Sequence, residues 1–290
     1  MKWQGSVPYT QLTGKTTITR MSKKILFTDL DGTLLDSYKN ISDKNLQAID
    51  KMIKAGHKFV ISTGRPIQSA VLIAKRYGWD GDGYYISSYN GGLIYDCCAK
   101  RSLIRQPVKK EYVRHILDEA RACNIHAHTY DDVNVVSERD TEEVRKYCQA
   151  IMVPPVIVPD AISYLKEDPI KVVAISAGSH EVLDKFRERL LPWCEGKLTT
   201  VFSSPILLEF ANSGATKGLA VKYMCNRFDI PIEDSVAAGD EENDISMIQA
   251  AGLGVAMNNA TEEVKATADY ITSADNDHDG ISEIIYKFIL

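Results

Sequence analysis

A chain of 290 residues is long enough for two domains and a large core. With 44% apolar and 25% charged residues it has an ordinary globular composition, and no apolar run approaches the length of a membrane span. A formal charge of −5 argues against a general nucleic-acid binder, which presents a basic face, and fits a chain that keeps acidic metal ligands.

Residues 1–20 are rich in Thr, Gly, Gln and Ser and lack an apolar segment of signal-peptide length. They read as a disordered leader, or as an artefact ahead of a natural start at Met21; an edge strand from Thr16 to Arg20 is the alternative. Lys24–Thr28 then reads as a strand. Ser42–Ala55 reads as a helix: Ser42 can cap it, Leu46, Ile49 and Ile53 fall at helical spacing, and Gly56 follows its end. Lys58–Ser62 is a strand, Pro66–Tyr77 a helix with Pro in its first turn, Tyr84–Ser87 a strand, Asn90-Gly91-Gly92 a turn and Leu93–Tyr95 the return strand. Alternating strands and helices predict a parallel sheet covered by helices, an α/β, Rossmann-like core.

The pattern resets at Pro107. A helix is predicted over Glu111–Ala122, with Val113, Ile116, Leu117 and Ala120 on one face. A hairpin follows, of His126–Tyr130 and Asn134–Ser137 around Asp131-Asp132, then a helix over Thr141–Ala150 and a loop punctuated by Pro154, Pro155 and Pro159. Lys171–Ser176 and Leu198–Ser203 read as strands flanking a helix over His180–Leu190. Residues 107–205 thus form an inserted α+β domain, a cap, between two core segments, 21–106 and 206–290. The core resumes from Leu207 with helices over Thr216–Phe228, Asp244–Ala251, Thr261–Thr267 and Gly280–Phe288, and strands over Val236–Ala238 and Leu253–Met257.

Cys97, Cys98, Cys123, Cys148, Cys194 and Cys225 form no Cys-x-x-Cys pair, which disfavours zinc and thioredoxin-like chemistry. They read as reduced, small, buried hydrophobes of a cytoplasmic protein.

The chemistry concentrates where apolar runs end. Lys24-Ile25-Leu26-Phe27-Thr28 stops at Asp29, and Asp31 follows two positions later, before Gly32 and Thr33. Ligands of open α/β sheets bind outside the carboxyl ends of the strands, so one carboxylate there can attack while the other moves a proton. A second strand ends in Thr63-Gly64-Arg65, Lys217 opens a helix after Gly214-Ala215-Thr216, and a third strand ends in Gly239-Asp240-Glu241-Glu242-Asn243-Asp244. These four motifs in this order, spanning about Lys23 to Leu290, resemble the haloacid dehalogenase-like phosphohydrolases of the Cof-type branch, which carry a large cap between the second and third motifs.

The resemblance implies a Mg²⁺-dependent phosphatase of small phosphorylated metabolites, such as a sugar phosphate or a nucleotide-like cofactor. Asp29 would be the nucleophile, forming an aspartyl-phosphate, and Asp31 would protonate the leaving oxygen and then deprotonate water. Mg²⁺ would be held by the Asp29 carboxylate, the Asp31 carbonyl and Asp240, with Asn243 and Asp244 behind them or orienting Lys217. Thr63 and Lys217 would hold the phosphoryl oxygens, and Leu30 and Gly32 would add backbone N–H donors. Gly64, Arg65 and Asn90 would contact the substrate.

Several residues keep a plainer alternative: Thr63 as a helix cap, Lys217 as a solvated lysine, Arg65 as a structural partner of a carboxylate, Asn90 as a hairpin turn, Asp244 as a helix-start acid. His126 and His128, with Tyr130, share one face of a cap strand; that face is a substrate wall, a zinc pair or a half-exposed sheet surface. Competing functions are a phosphomutase, a signalling receiver and a non-catalytic binder of phosphorylated ligands. A lid whose two ends return between Thr63 and Lys217 should cover the carboxyl edge of the sheet, leaving room for a small substrate and none for a duplex.

Overall fold

The structure is a computed structural model that describes residues 22–290. The expectations for the leader, including the alternative strand at 16–20, lie outside the described residues.

In chain order the first core segment contains β1 (Ile25–Thr28), α1 (Asp43–Lys54), β2 (Lys58–Ser62), α2 (Ile67–Arg76), β3 (Tyr84–Ser88), β4 (Leu93–Asp96) and β5 (Arg101–Arg105). The cap elements are α3 (Lys110–Ala122), β6 (His126–Tyr130), β7 (Val135–Ser137), α4 (Glu142–Ile151), β8 (Pro155–Ile157), α5 (Ala161–Tyr164), β9 (Lys171–Ile175), α6 (His180–Cys194), β10 (Leu198–Ser204) and β11 (Leu207–Asn212). The chain closes with α7 (Lys217–Arg227), β12 (Ser235–Gly239), α8 (Ile245–Ala250), β13 (Leu253–Ala256), α9 (Glu262–Thr267), β14 (Tyr270–Ile271) and α10 (Gly280–Ile284).

The core sheet runs β14-β13-β12-β1-β2-β3-β4-β5, parallel except for the β4–β5 extension. All four residues of β1 are buried because helices cover both faces. Leu26 packs with Ile49, Met52 and Ile281 on one side; Ile25 and Phe27 pack with Val221 and Met224 on the other. Each such side chain contributes about 1.5–3 kcal/mol on burial, which anchors β1 in the middle of the sheet. The chain winds outward from β1 in both directions, so β1 lies at the topological switch point, and Asp29 is the next residue after it. Ser42, Thr141, Thr216 and Thr261 each accept a backbone N–H at a helix start, worth about 1 kcal/mol apiece.

The cap is a six-stranded sheet, β10-β11-β9-β6-β7-β8. Helices α3 and α6 cover one face through Val113, Ile116, Leu183 and Phe186. The other face packs against α4 and against Tyr89 and Leu93 of the core. Here the structure corrects the expected boundary. Leu207–Asn212 is not a return to the core but an inner strand of the cap sheet, paired with both β10 and β9. Its apolar alternation suits either sheet; only pairing decides. The two linkers touch, Asn212 Nδ2 donating to the Pro107 carbonyl at 2.9 Å.

Short elements escape the pattern: β5, β8, β14 and α5. Pro155 is accommodated because β8 is an edge strand, bonded on one side only. Helix α6 runs through Pro192 to Cys194, past the expected Leu190, because Leu190 and Cys194 both bury in the cap core. Cys98 and Cys123 are exposed, which corrects the reading of all six cysteines as buried. No helix among the described residues is long and apolar enough to cross a membrane.

Candidate active site

Four chain segments meet at the carboxyl end of β1. The Asp29 N–H donates to the Ala238 carbonyl at 3.0 Å, so the residue extends the β1–β12 ladder and its side chain is held at the sheet edge. Lys217 is fully buried, and its Nζ donates to Asp29 Oδ1 at 2.6 Å and to Asp244 Oδ1 at 2.5 Å. The remaining Asp244 oxygen accepts the N–H groups of Asp240 and Glu241 at 2.9 and 3.2 Å. Asp244 therefore orients Lys217 and the loop that carries Asp240, and is more than a helix-start acid. Thr33 Oγ1 donates to Asp240 Oδ1 at 2.7 Å.

Carboxylate oxygens of Asp29, Asp240 and Asp244 all lie within 4.8 Å of one another. Against these three buried acids stands one ammonium, Lys217. The electrostatic consequence is large. Burial pushes the Asp29 carboxyl up to about 7, against the pull of Lys217 and with the push of Asp244 and Asp31. Burial and the charges of Asp244 and Asp29 push Asp240 up to about 9. Burial acts to lower Lys217, but Asp244 and Asp29 hold it above the ordinary lysine range. A cluster with this excess of negative charge and only oxygen donors suits a hard divalent cation such as Mg²⁺. Gly32 is needed beside it: its φ is +76°, and a Cβ there would lie 2.2 Å from Asp240 Oδ2.

Asp31 behaves differently. Burial alone would raise its carboxyl, but Arg65 and Lys39 outweigh it and hold it down at about 2. Arg65 makes a two-pronged contact at 2.6 and 2.7 Å, and Lys39 adds one at 2.8 Å. In this arrangement both cations favour the ionised form of Asp31, so the expected role as a proton donor needs Arg65 and Lys39 to move away. Arg65 is thus paired with a carboxylate, as its plainer reading had it, but that carboxylate belongs to the site.

A cavity of about 260 Å³ opens above these groups. Its floor is Asp29, Asp31, Thr63, Gly64, Arg65, Glu241 and Asn243; the cap supplies Tyr147, Ala150, Ile151, Ser203, Ser204, Leu207 and Glu209; Lys39 stands on its wall. Thr63 lines the cavity and its Oγ1 accepts the Arg65 N–H at 3.1 Å, but it does not cap α2, whose cap residue is Pro66 without a side-chain hydrogen bond. A larger hollow of about 470 Å³ lies at the rim of the cap, between Arg105 and Tyr164, but Arg105 is already paired with Asp132 and Glu167 there.

Other expected contacts are corrected. His126 and His128 are buried and do not line the cavity, nor is their strand half-exposed. Burial pushes both imidazoles down, His126 to about 4. They lie in a line of hydrogen bonds, His126 to His128 at 3.2 Å, His128 to Tyr130 at 3.3 Å and Tyr130 to Tyr147 at 2.5 Å; only Tyr147 reaches the cavity. Two adjacent imidazoles bonded to each other and to hydroxyls give no zinc site. The Leu30 side chain is in the core and the Gly32 carbonyl accepts from Asn259 at 2.7 Å; neither contact involves the backbone N–H groups expected to meet phosphate. Asn90 is buried rather than facing substrate, and it is no simple hairpin turn: Tyr89, Asn90 and Gly91 are successive left-handed residues. Gly91 is required there because a Cβ would lie 2.3 Å from the Thr216 carbonyl, one residue before Lys217.

Sequence reasoning missed Lys39, Tyr147, Ser203, Glu209 and Lys171. Two left a trace: Glu209 is a lone charge inside the apolar run Leu207–Ala211, and Lys171 opens another such run. An isolated charge in an otherwise apolar strand is a partner-seeking group.

A parallel sheet with an acidic site at its switch point, closed by an inserted cap, defines a hydrolase of the phosphoryl-transfer kind. The description of haloacid dehalogenase-like hydrolases matches residues 26–285, and the chain belongs to that family. It is a phosphoric monoester hydrolase of that family. A 5-amino-6-(5-phospho-D-ribitylamino)uracil phosphatase of Bacillus subtilis is 30% identical to it over 273 residues, 92% of this chain and 96% of the relative. A pyridoxal phosphate phosphatase of Escherichia coli is 29% identical over 282 residues, 93% of this chain and 100% of the relative. Among solved structures, a haloacid dehalogenase-like hydrolase from Bacteroides thetaiotaomicron superposes with a TM-score of 0.82 at 32% identity, covering 91% of this chain and 99% of that one.

Proposed function

We propose that the protein is a Mg²⁺-dependent phosphatase that hydrolyses small phosphorylated metabolites through an aspartyl-phosphate on Asp29. The observation that carries this reading is Asp29 itself, buried at the end of β1, with one oxygen held by Lys217 and the cavity in front of it. The cavity volume of about 260 Å³ lies below the roughly 300–1,000 Å³ of drug-sized sites, which favours a monoester about the size of a single ring. The two named relatives are phosphatases of small one-ring metabolites, one a phosphorylated pyridine and the other a uracil with a phosphoribityl chain.

The chemistry follows from the residues. The Asp29 oxygen not engaged by Lys217 attacks phosphorus, the bond from phosphorus to the ester oxygen breaks, and the leaving oxygen takes a proton from Asp31, which carries one once Arg65 and Lys39 are drawn to the substrate. Thr63 and Lys217 hold the phosphoryl oxygens as charge redistributes. In the second step Asp31, ionised by that transfer, takes a proton from water as the water oxygen attacks phosphorus, and the bond to Asp29 breaks to release phosphate. The proton taken from water replaces the one given to the leaving oxygen, so Asp31 ends the cycle as it began it. Mg²⁺ on the Asp29 and Asp240 carboxylates and the Asp31 carbonyl would neutralise phosphate charge and fix its orientation. The cap over the cavity excludes water from the first step.

Phosphate release by the full chain from a broad panel of phosphorylated metabolites, with Mg²⁺ and with chelator, tests the reading. Turnover should appear with Mg²⁺ and vanish on chelation. Turnover that survives chelation, or phosphopeptides and polynucleotides preferred over every small phosphate, would overturn it.

A further inference from the structure

A second buried ion pair lies where the cap meets the core. Lys171 on β9 is 0% exposed at its side chain and Glu209 on β11 is 3% exposed; Nζ and Oε2 are 2.9 Å apart. Both residues belong to the cap, yet both reach out of it. Lys171 Nζ also donates to the Gly64 carbonyl at 2.5 Å, and Asn90 Nδ2 donates to Glu209 Oε2 at 2.5 Å. The other Glu209 oxygen accepts from Ser203 at 2.7 Å. The Lys171 ammonium sits between the rings of Tyr130, from the cap, and Tyr89, from the core, at 5.8 and 5.9 Å from their centroids.

These contacts converge on the loop that is to hold phosphate. Gly64 lies between Thr63 and Arg65, and a Cβ on it would lie 3.2 Å from Asn90 Oδ1 and 3.3 Å from Glu209 Oε1. Asn90 donates its own N–H to the Thr63 carbonyl at 3.1 Å and accepts from Asn243 Nδ2 at 3.1 Å. One cap carboxylate is thereby tied, through Asn90, to the Thr63 loop and to the Asn243 loop.

We propose that Lys171 and Glu209 are positioning residues that hold the Thr63-Gly64-Arg65 loop in its phosphate-binding shape by docking the cap onto Gly64 and Asn90. This rests on the phosphatase reading for its kinetic readout. The structural logic is that burying two charges is costly and is seldom the most stabilising choice. What the pair gives beyond its own neutralisation is one hydrogen bond to each of two core elements, at fixed distances, from a rigid sheet. A loop gripped on both sides loses little entropy when phosphate arrives.

The test compares Lys171→Met, Glu209→Gln and the double variant in the full chain. Each single change strands a buried charge or its partner, so each should lower the thermal midpoint and lower kcat on a small phosphate monoester at least tenfold. The double variant removes the ammonium and the carboxylate charge together. It should regain most of the midpoint while kcat stays at least tenfold low. Recovery of kcat along with stability would mean the pair is structural only. Hydrogen exchange over 63–65 and 88–91 gives a readout that needs no turnover, and so separates failure of this proposal from failure of the phosphatase reading. Exchange there should quicken in the double variant, and in Gly64→Ala if the double does not fold; unchanged exchange overturns the proposal.

Discussion

Among the described residues two lysines are buried completely, and their surroundings differ in charge balance. Lys217 faces the Asp29, Asp240 and Asp244 cluster, one cation against three acids. Lys171 faces a single acid, Glu209, whose remaining oxygen is already bonded to Ser203. The first group is over-negative, pushes two of its carboxyls above their usual range, and suits a divalent cation. The second is neutral and hydrogen-bonded on every side that the cap and core offer. The contrast teaches that burial of a charge is not by itself a mark of chemistry; the unbalanced remainder is.

The largest expected effect breaks the unbalanced side. Asp29→Asn keeps the shape but removes the nucleophile, so kcat should fall by about a thousandfold or more. Because one of three mutually repelling acids is neutralised, the metal-free thermal midpoint should hold or rise. A well-folded variant with near-parental turnover would remove Asp29 from its role.

Asp240→Ala sharpens the same contrast through the metal. Mg²⁺ should raise the thermal midpoint of the parent by binding the folded state, and this rise should be smaller or absent in the variant. An identical Mg²⁺ titration in both proteins would show that Asp240 is not a ligand. Gly32→Ala comes next. The left-handed backbone alone costs an alanine about 1–2 kcal/mol, and the Cβ would press on Asp240 Oδ2. Half-maximal Mg²⁺ should shift upward in steady-state assays; an unchanged Mg²⁺ requirement would mean the loop adapts freely.

The smallest effect concerns a third kind of buried group, the neutral histidines of the cap. Burial, then Arg139, depresses His126 to about 4 from an ordinary value of 6.5. The unfolded chain therefore binds more protons between those limits. The stability this site contributes is complete above about pH 6.5 and is lost progressively as pH falls toward 4, by roughly 3 kcal/mol at most. Denaturation midpoints at pH 7 and pH 5 should differ less in His126→Gln than in the parent. An equal acid sensitivity in both would show that His126 is not its source.

The chain alone determined the core's αβ alternation, the ends of its longer elements and the four runs that converge on Asp29. These are local: apolar strands stopped by acids, capped helices and a glycine that must turn can be read from neighbouring residues. The cap was harder because its signals are relational. Leu207–Asn212 reads equally well as a core or a cap strand, and only its hydrogen-bonded neighbours, β9 and β10, decide. His126 and His128 share a face by spacing, but whether that face is a wall of the cavity or a buried seam depends on where α4 lies across it. Lys39, Tyr147 and Glu209 come to the cavity from separate stretches of chain, and Asp31 acquires its low-lying carboxyl only when Arg65 and Lys39 fold against it. A pairing partner, a packed face and a field of neighbouring charges are properties of distance in space, and distance along the chain does not encode them.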